Sequence, residues 1–262
     1  MVLPLGDVES TRIVPVATYL LIAINVAIYV LQVDQGEAFT ITYAATPFEI
    51  THDVDLIGRF GPAGADDAGD MEQAAIGFPI WLTLFTSLFL HGSPLHLAGN
   101  MLYLWIFGDN VEEVLGTFLY LAVYVACGVV GTLCQVAAAP DSVIPTLGAS
   151  GAIAGLMAIY LLWFPHNRIR VLVLQFITEM PAIFVIGFWI VSQLILGYNS
   201  AGHIGVRGGV AYLAHIGGAA TGFATGYLFE SKMMAFRAAE YDRAWFNLGA
   251  GSEPREPHDR NW

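Results

Sequence analysis

Hydrophobic positions in this chain gather into long blocks separated by polar, loop-forming segments. A helix that crosses a bilayer takes about 20 mostly apolar residues, at about 1.5 Å each, to cover roughly 30 Å of hydrocarbon. Six blocks predict such helices, over 13–33, 94–112, 117–138, 150–164, 181–197 and 210–230. Run 79–90 is apolar too, but His91, Gly92 and Pro94 cut it from the next block, and Pro79 opens it. It reads as a membrane-surface or re-entrant segment rather than a span. The expected fold class is an all-α polytopic membrane protein. A membrane domain over 13–230 holds a six-transmembrane-helix bundle with a long first outer loop, 34–93. A cytoplasmic segment 1–12 precedes it and a cytoplasmic tail 231–262 follows.

The polar segments set an orientation. Arg12 precedes the first block, Arg168 and Arg170 follow the fourth, and Lys232, Arg237 and Arg243 follow the sixth. With Arg255 and Arg260 in the tail, these share one side of an even-numbered topology; only Arg59 and Arg207 fall opposite. Lys and Arg mark cytoplasmic loops. Both termini are therefore expected in the cytoplasm of a prokaryotic cell, with 34–78, 139–149 and 198–209 facing outward. Residues 1–12 lack a basic signal-peptide start, so the first block is expected to stay as a helix. Residues 41–50 mix apolar and polar side chains, which predicts local order at the bilayer surface. Residues 250–262 read as disordered.

Composition sharpens this. The chain is 56% hydrophobic and 12% charged, against about a quarter charged in ordinary soluble domains, and its mean hydropathy is +0.62. The lipid bilayer is thus an expected partner. The net charge is −12 and Lys232 is the only lysine. Such a surface tolerates high salt and lacks the basic footprint that nucleic-acid binding requires. Cys127 and Cys134 lie seven residues apart on one helix face. They read as small buried hydrophobes, because a metal pair wants a closer spacing and more ligands.

The chemistry sits where charge and polarity are otherwise scarce. Gly148-Ala149-Ser150-Gly151 opens the fourth block, and Ala214-His215-Ile216-Gly217-Gly218 lies near the start of the sixth. Run 150–164 is about 22 Å long at standard rise, with Pro165 and Arg168 marking its inner end. In a core about 30 Å thick that leaves Ser150 roughly 8 Å below the outer surface. His215, a few residues into its own helix, comes to roughly the same depth. A lone serine in a span more often bonds back to its helix, and a lone histidine is ambiguous. A serine and a histidine at one depth form a nucleophile and base. His91-Gly92-Ser93-Pro94-Leu95-His96-Leu97-Ala98-Gly99-Asn100 precedes and enters the second helix. His96 and Asn100, four apart, share a face. With the Ser150 N–H at a helix start, they offer donors for a developing oxyanion. Gly218, Gly222 and Gly226 in the sixth block, and Gly151 and Gly155 in the fourth, form small-xxx-small ridges that permit close helix approach.

Other hydrolase chemistries fit poorly. No His-Glu-x-x-His motif occurs. Gly108-Asp109 has Ile106 where an intramembrane aspartyl protease motif wants glycine, and it lies near a cytoplasmic helix end. Ser150 is not in a Gly-x-Ser-x-Gly elbow, since residue 152 is Ala152, and no strand pattern precedes it.

Through His91–Asn100, Gly148–Gly151 and Ala214-His215 with Gly218 and Gly222, in this order, the chain resembles the rhomboid family of intramembrane serine proteases. The match covers 79–230. The resemblance implies a six-helix core with a Ser150–His215 dyad and no third acid. It implies an oxyanion hole of His96, Asn100 and the Ser150 backbone, with Gly148, Gly151, His91, Gly218 and Gly222 in support. It implies neither cofactor nor metal, and single-span membrane proteins as substrates, admitted beside the fifth span and under loop 198–209. It assigns no oligomeric state. Two positions depart from the family pattern. Ala154 stands where an aromatic often supports the histidine, and the first loop has Arg59 beside Phe60 in place of a Trp-Arg pair. An inert client-binding relative and a channel with Ser150 and His215 in its pore are the rival readings. Retention of both dyad residues disfavours the first, and the absence of charged relays or inverted halves disfavours the second.

Overall fold

The computed structural model describes residues 2–9, 11–60, 71–200 and 211–248. Strand β1 (Val2–Asp7) leads to helix α1 (Val16–Gln35). The first loop then folds into α2 (Glu37–Tyr43), α3 (Pro47–His52) and a short antiparallel pair, β2 (Gly58–Phe60) and β3 (Met71–Gln73). Run 79–90 forms α4 (Thr83–Thr86) between two 3₁₀ turns, Ile80–Leu82 and Ser87–Phe89. Helices α5 (Pro94–Leu115), α6 (Thr117–Ala138) and α7 (Ser150–Trp163) follow. A hairpin of β4 (Arg168–Val173) and β5 (Phe176–Pro181) leads to α8 (Ala182–Ser200), α9 (Tyr212–Leu228) and α10 (Glu230–Leu248).

Helix α7 is the axis of the bundle. It is buried without interruption from Gly151 to Tyr160, as expected of a helix that is apolar all round. Helices α5, α6, α8 and α9 pack around it. Leu104 and Phe107 of α5, Tyr120 and Tyr124 of α6, and Met157, Tyr160 and Trp163 of α7 fill the space between. The outer faces stay apolar as well. Leu20 and Val30 of α1, Phe118 of α6, Phe184 and Phe188 of α8 and Tyr227 of α9 are exposed, far more apolar surface than a soluble monomer leaves uncovered. By length and composition, α1 and α6 can cross a membrane, while Ser150–Trp163 and Ala182–Tyr198 are apolar but shorter.

Helix starts and close contacts follow local chemistry. Ser93 caps α5 by accepting the His96 N–H, with Pro94 at the first helical position. Helix α1 has no capping side chain of its own. The fully buried carboxylate of Glu112, from α5, instead accepts the N–H groups of Ala17 and Thr18 at 2.9 Å each. That anion lies on the positive end of the α1 dipole.

The two ends of the bundle differ. At one end β1 pairs with β4, Arg12 forms an ion pair with Glu240 of α10, and Arg237 donates to the Trp163 carbonyl at 2.8 Å. At the other end the first loop meets the α6–α7 connection, through an Ala45–Thr146 bridge and the Phe48 N–H on the Ser142 carbonyl. The N-terminal strand, the α7–α8 connection and α10 thus lie together at one end.

The all-α expectation needs correction. Segment 1–12 and the α7–α8 connection build a three-stranded antiparallel sheet, β1-β4-β5. The signal was present at 168–171, where exposed Arg168 and Arg170 alternate with buried Ile169 and Val171, the period of a strand with one covered face. Tail 231–262 begins as helix α10, and the disorder expected over 250–262 lies outside the described residues. Cys127 is buried, but Cys134 is exposed, so only the first is a core residue.

Candidate active site

Ser150 is the first residue of α7. Its backbone N–H belongs to the first turn, where no intrahelical carbonyl is available. The chain arrives there through Gly148, whose φ is +125°, and the Gly148 N–H donates to the Ser87 carbonyl at 2.9 Å. His215 lies one turn into α9 and is 8% exposed. Its Nε2 lies 2.7 Å from Ser150 Oγ. The two helices come this close because their glycine ridges face one another. A Cβ on Gly218 would collide with the Gly151 carbonyl, and one on Gly222 with that of Gly155.

The opposite wall comes from α5. His96 Nδ1 accepts the Gly92 N–H at 3.4 Å, which leaves the ring proton on Nε2. That edge faces the Gly148 turn: a Cβ on Gly148 would lie 2.9 Å from His96 Cε1, 3.1 Å from its Nε2 and 3.6 Å from Ser150 Oγ. Asn100 is buried one turn beyond His96, and among the described residues no acceptor pairs with its Nδ2. A buried amide N–H without a partner is costly, so this donor is open to an acceptor from a ligand, an intermediate or water.

His91 supports this wall. Its ring meets the His96 ring edge to face at 5.2 Å. Gln32 of α1 grips its backbone, accepting the His91 N–H at 3.0 Å and donating to its carbonyl at 3.2 Å. Burial, with help from the nearby His96, pushes the His91 ring down to about 4, so it is neutral at physiological pH.

Helix α8 holds the far side of His215. Gln193 Oε1 lies 2.8 Å from His215 Nδ1. The Trp189 ring lies 5.6 Å from the imidazole and packs on Ala154, Ala158 and Ala219. An aromatic from a neighbouring helix thus flanks the histidine where Ala154 provides none. Sequence reading missed both residues, and also Gln32. The available signal was a side-chain amide inside an apolar block, a costly placement that marks an interior-facing function.

The structure therefore brings Ser150, His215, His96, Gly148, Gly151, Gly218 and Gly222 together, with His91 behind His96 and Asn100 on the same helix. Asp109 is elsewhere, accepting from its neighbour Asn110. Among the described residues no three His, Cys, Asp or Glu side chains converge as a metal site. Loop 198–209 begins inside α8, and the rest of it lies outside the described residues; the Arg59 side chain does too.

Chemically, the arrangement offers a hydroxyl beside a histidine nitrogen, with the His96 ring edge at the turn that leads into the serine. The Rhomboid domain family model matches residues 79–232. Rhomboid protein 1, mitochondrial, of Saccharomyces cerevisiae is 30% identical over 63% of this chain and 47% of its own length. Presenilin-associated rhomboid-like protein, mitochondrial, of Bos taurus is 33% identical over 53% of this chain and 36% of its own. Rhomboid protease GluP of Bacillus subtilis is 29% identical over 73% of this chain and 32% of its own. The chain thus spans about a third to a half of the length of these relatives. Two of the three are mitochondrial, so the comparisons do not support the prokaryotic cell membrane expected from sequence.

Proposed function

The chain belongs to the rhomboid family of membrane proteins, and from that premise we propose that it is an intramembrane serine endopeptidase working through a Ser150–His215 dyad. The observation that carries this reading is the 2.7 Å approach of Ser150 Oγ to His215 Nε2. The Nε2–H edge of His96 faces the Gly148 turn beside Ser150, and Asn100, whose buried Nδ2 has no partner among the described residues, lies one turn further along α5. His215 takes the Ser150 proton as Oγ attacks a substrate carbonyl. The His96 ring N–H, the Asn100 amide and the Ser150 backbone N–H receive the oxyanion. His215 returns the proton to the departing amine. Water, deprotonated by His215, then hydrolyses the acyl ester to a carboxylic acid and regenerates the serine. His91, Gly148, Gly151, Gly218 and Gly222 serve this geometry by packing and turn conformation.

In this reading α1, α5, α6, α7, α8 and α9 are six membrane spans. The bundle end that carries Arg12, Arg168, Arg170, Lys232, Arg237 and Arg243 faces the cytoplasm, and the site opens near the opposite surface. Single-span membrane proteins with locally unwound helices are the substrates, reaching Ser150 past the apolar outer face of α8. The test is cleavage of a single-span reporter by the purified full chain in detergent, with Ser150→Ala and His215→Ala alongside. Wild type should cut the reporter and take a fluorophosphonate label, and neither variant should do either. Cleavage that survived either substitution would refute the dyad. A wild type that neither cut nor labelled would indicate an inert client-binding protein.

A further inference from the structure

We propose that Gln193 is a positioning residue for His215, fixing which ring nitrogen carries the proton; this rests on the dyad reading above. The argument starts from a chain of hydrogen bonds with one possible polarity. Ser192 Oγ lies 2.6 Å from the Trp189 carbonyl oxygen, which can only accept, so the serine donates. The same Oγ lies 3.2 Å from Gln193 Nε2, and with its own proton committed it accepts from that amide. Gln193 Oε1 is thereby turned toward His215, 2.8 Å from Nδ1. An amide oxygen has no proton to give, so Nδ1 carries the hydrogen. Nε2 is left bare, and it faces Ser150 Oγ. The reverse polarity would set the Trp189 and Ser192 oxygens 2.6 Å apart with no hydrogen between them.

The chain of roles ends in the tautomer a general base needs. A neutral histidine with its proton on Nε2 cannot accept from the serine. The dyad thus has a third, uncharged member in the place where soluble serine hydrolases use a carboxylate. A neutral amide suits this position, because Gln193 is only 9% exposed and an unpaired carboxylate at such a site carries a heavy desolvation cost. The Trp189 ring closes the same side by packing on Ala154 and lying against the imidazole. Trp189, Ser192 and Gln193 occur at i, i+3 and i+4, so one face of α8 supplies the whole support. None of the three α8 residues is ionisable.

The experiment combines ¹⁵N NMR of histidine-labelled full chain in detergent with reporter kinetics, for wild type, Gln193→Leu, Gln193→Glu and Ser192→Ala. In wild type the His215 ring should show a protonated Nδ1 and a bare Nε2. Gln193→Leu should lose that preference and lower kcat by about tenfold at nearly constant KM. Gln193→Glu, which keeps an acceptor oxygen but buries a carboxylate, should restore the tautomer and recover rate relative to Gln193→Leu while melting below wild type. Ser192→Ala, which frees the amide to turn, should fall between. Should Gln193→Leu fail to fold, Ser192→Ala and Gln193→Glu carry the same comparison. A wild-type tautomer with its proton on Nε2, or wild-type kcat and tautomer in Gln193→Leu, would overturn the proposal. The NMR arm needs no turnover, so an inactive wild type with the expected tautomer defeats the protease reading and leaves the positioning role standing.

Discussion

Gly218 of α9 rests on the backbone of Gly151 of α7, and the Gly151 carbonyl fills the place where a side chain on Gly218 would begin. The Ser150–His215 bond depends on that contact, because the two residues sit beside this seam on separate helices. Gly218→Ala is expected to force the helices apart. The cost should be about 1–3 kcal/mol of stability, the usual range for overpacking, and fluorophosphonate labelling should drop sharply. Gly187→Ala, on α8 where a Cβ meets nothing within 4 Å, should leave both melting and labelling near wild type. Equal behaviour of the two variants would show that the seam does not set the site.

Asn100 separates catalysis from stability. Its Nδ2 has no acceptor among the described residues, so Asn100→Ala breaks no hydrogen bond of that group in the resting protein. Thermal melting should be little changed, while kcat should fall on the order of 100-fold, the scale of a lost oxyanion donor. A large drop in melting temperature with kcat retained would give Asn100 a structural role instead.

Gly148 combines two constraints, a φ of +125° and a ring 2.9 Å from its absent Cβ. Gly148→Ala should displace His96 and lower kcat by roughly 100-fold, with KM changing less. Unchanged turnover would mean that the His96 edge is not used.

Glu112 tests the tertiary cap on α1. Glu112→Gln keeps the shape but removes the anion from the Ala17 and Thr18 N–H groups. A loss of about 2 kcal/mol is expected, read as a lower melting temperature. Activity per folded molecule should be preserved. Full stability would show that the carboxylate charge contributes nothing there.

Glu49 in the first loop carries a pH dependence. Burial raises its carboxyl above the ordinary value of 4.5, although Oε1 accepts from the Leu56 N–H and from Gln73. In the window just above 4.5 the folded chain keeps a proton that the unfolded chain has released. Stability from this group is therefore full at lower pH and declines as pH rises through the raised value. Glu49→Gln should flatten that decline in a series of melts from pH 4 upward. A parallel slope in wild type and variant would assign the dependence elsewhere.

The hydropathy blocks alone marked six helices with little error: 117–138 against Thr117–Ala138, and 94–112 against Pro94–Leu115. Burial of backbone polar groups leaves long apolar segments few alternatives to the helix. The start of α1 was less legible, expected at 13 and found at Val16, since its cap comes from Glu112, distant in sequence. Strand β1 was hidden because it becomes one only by pairing with β4, whereas the alternation of Arg168, Ile169, Arg170 and Val171 was there to be read.

The site divides in the same way. Ser150, His215, His96 and Asn100 could be singled out from sequence because polar side chains in apolar blocks are expensive and therefore few. Helix rise even set the serine and histidine at a common depth. Depth along an axis says nothing of rotation about it or of distance between helices. Which glycine meets which carbonyl, which way the His96 ring proton points, and that Gln193 and Trp189 of α8 hold His215 were decided only by side-chain packing among four helices.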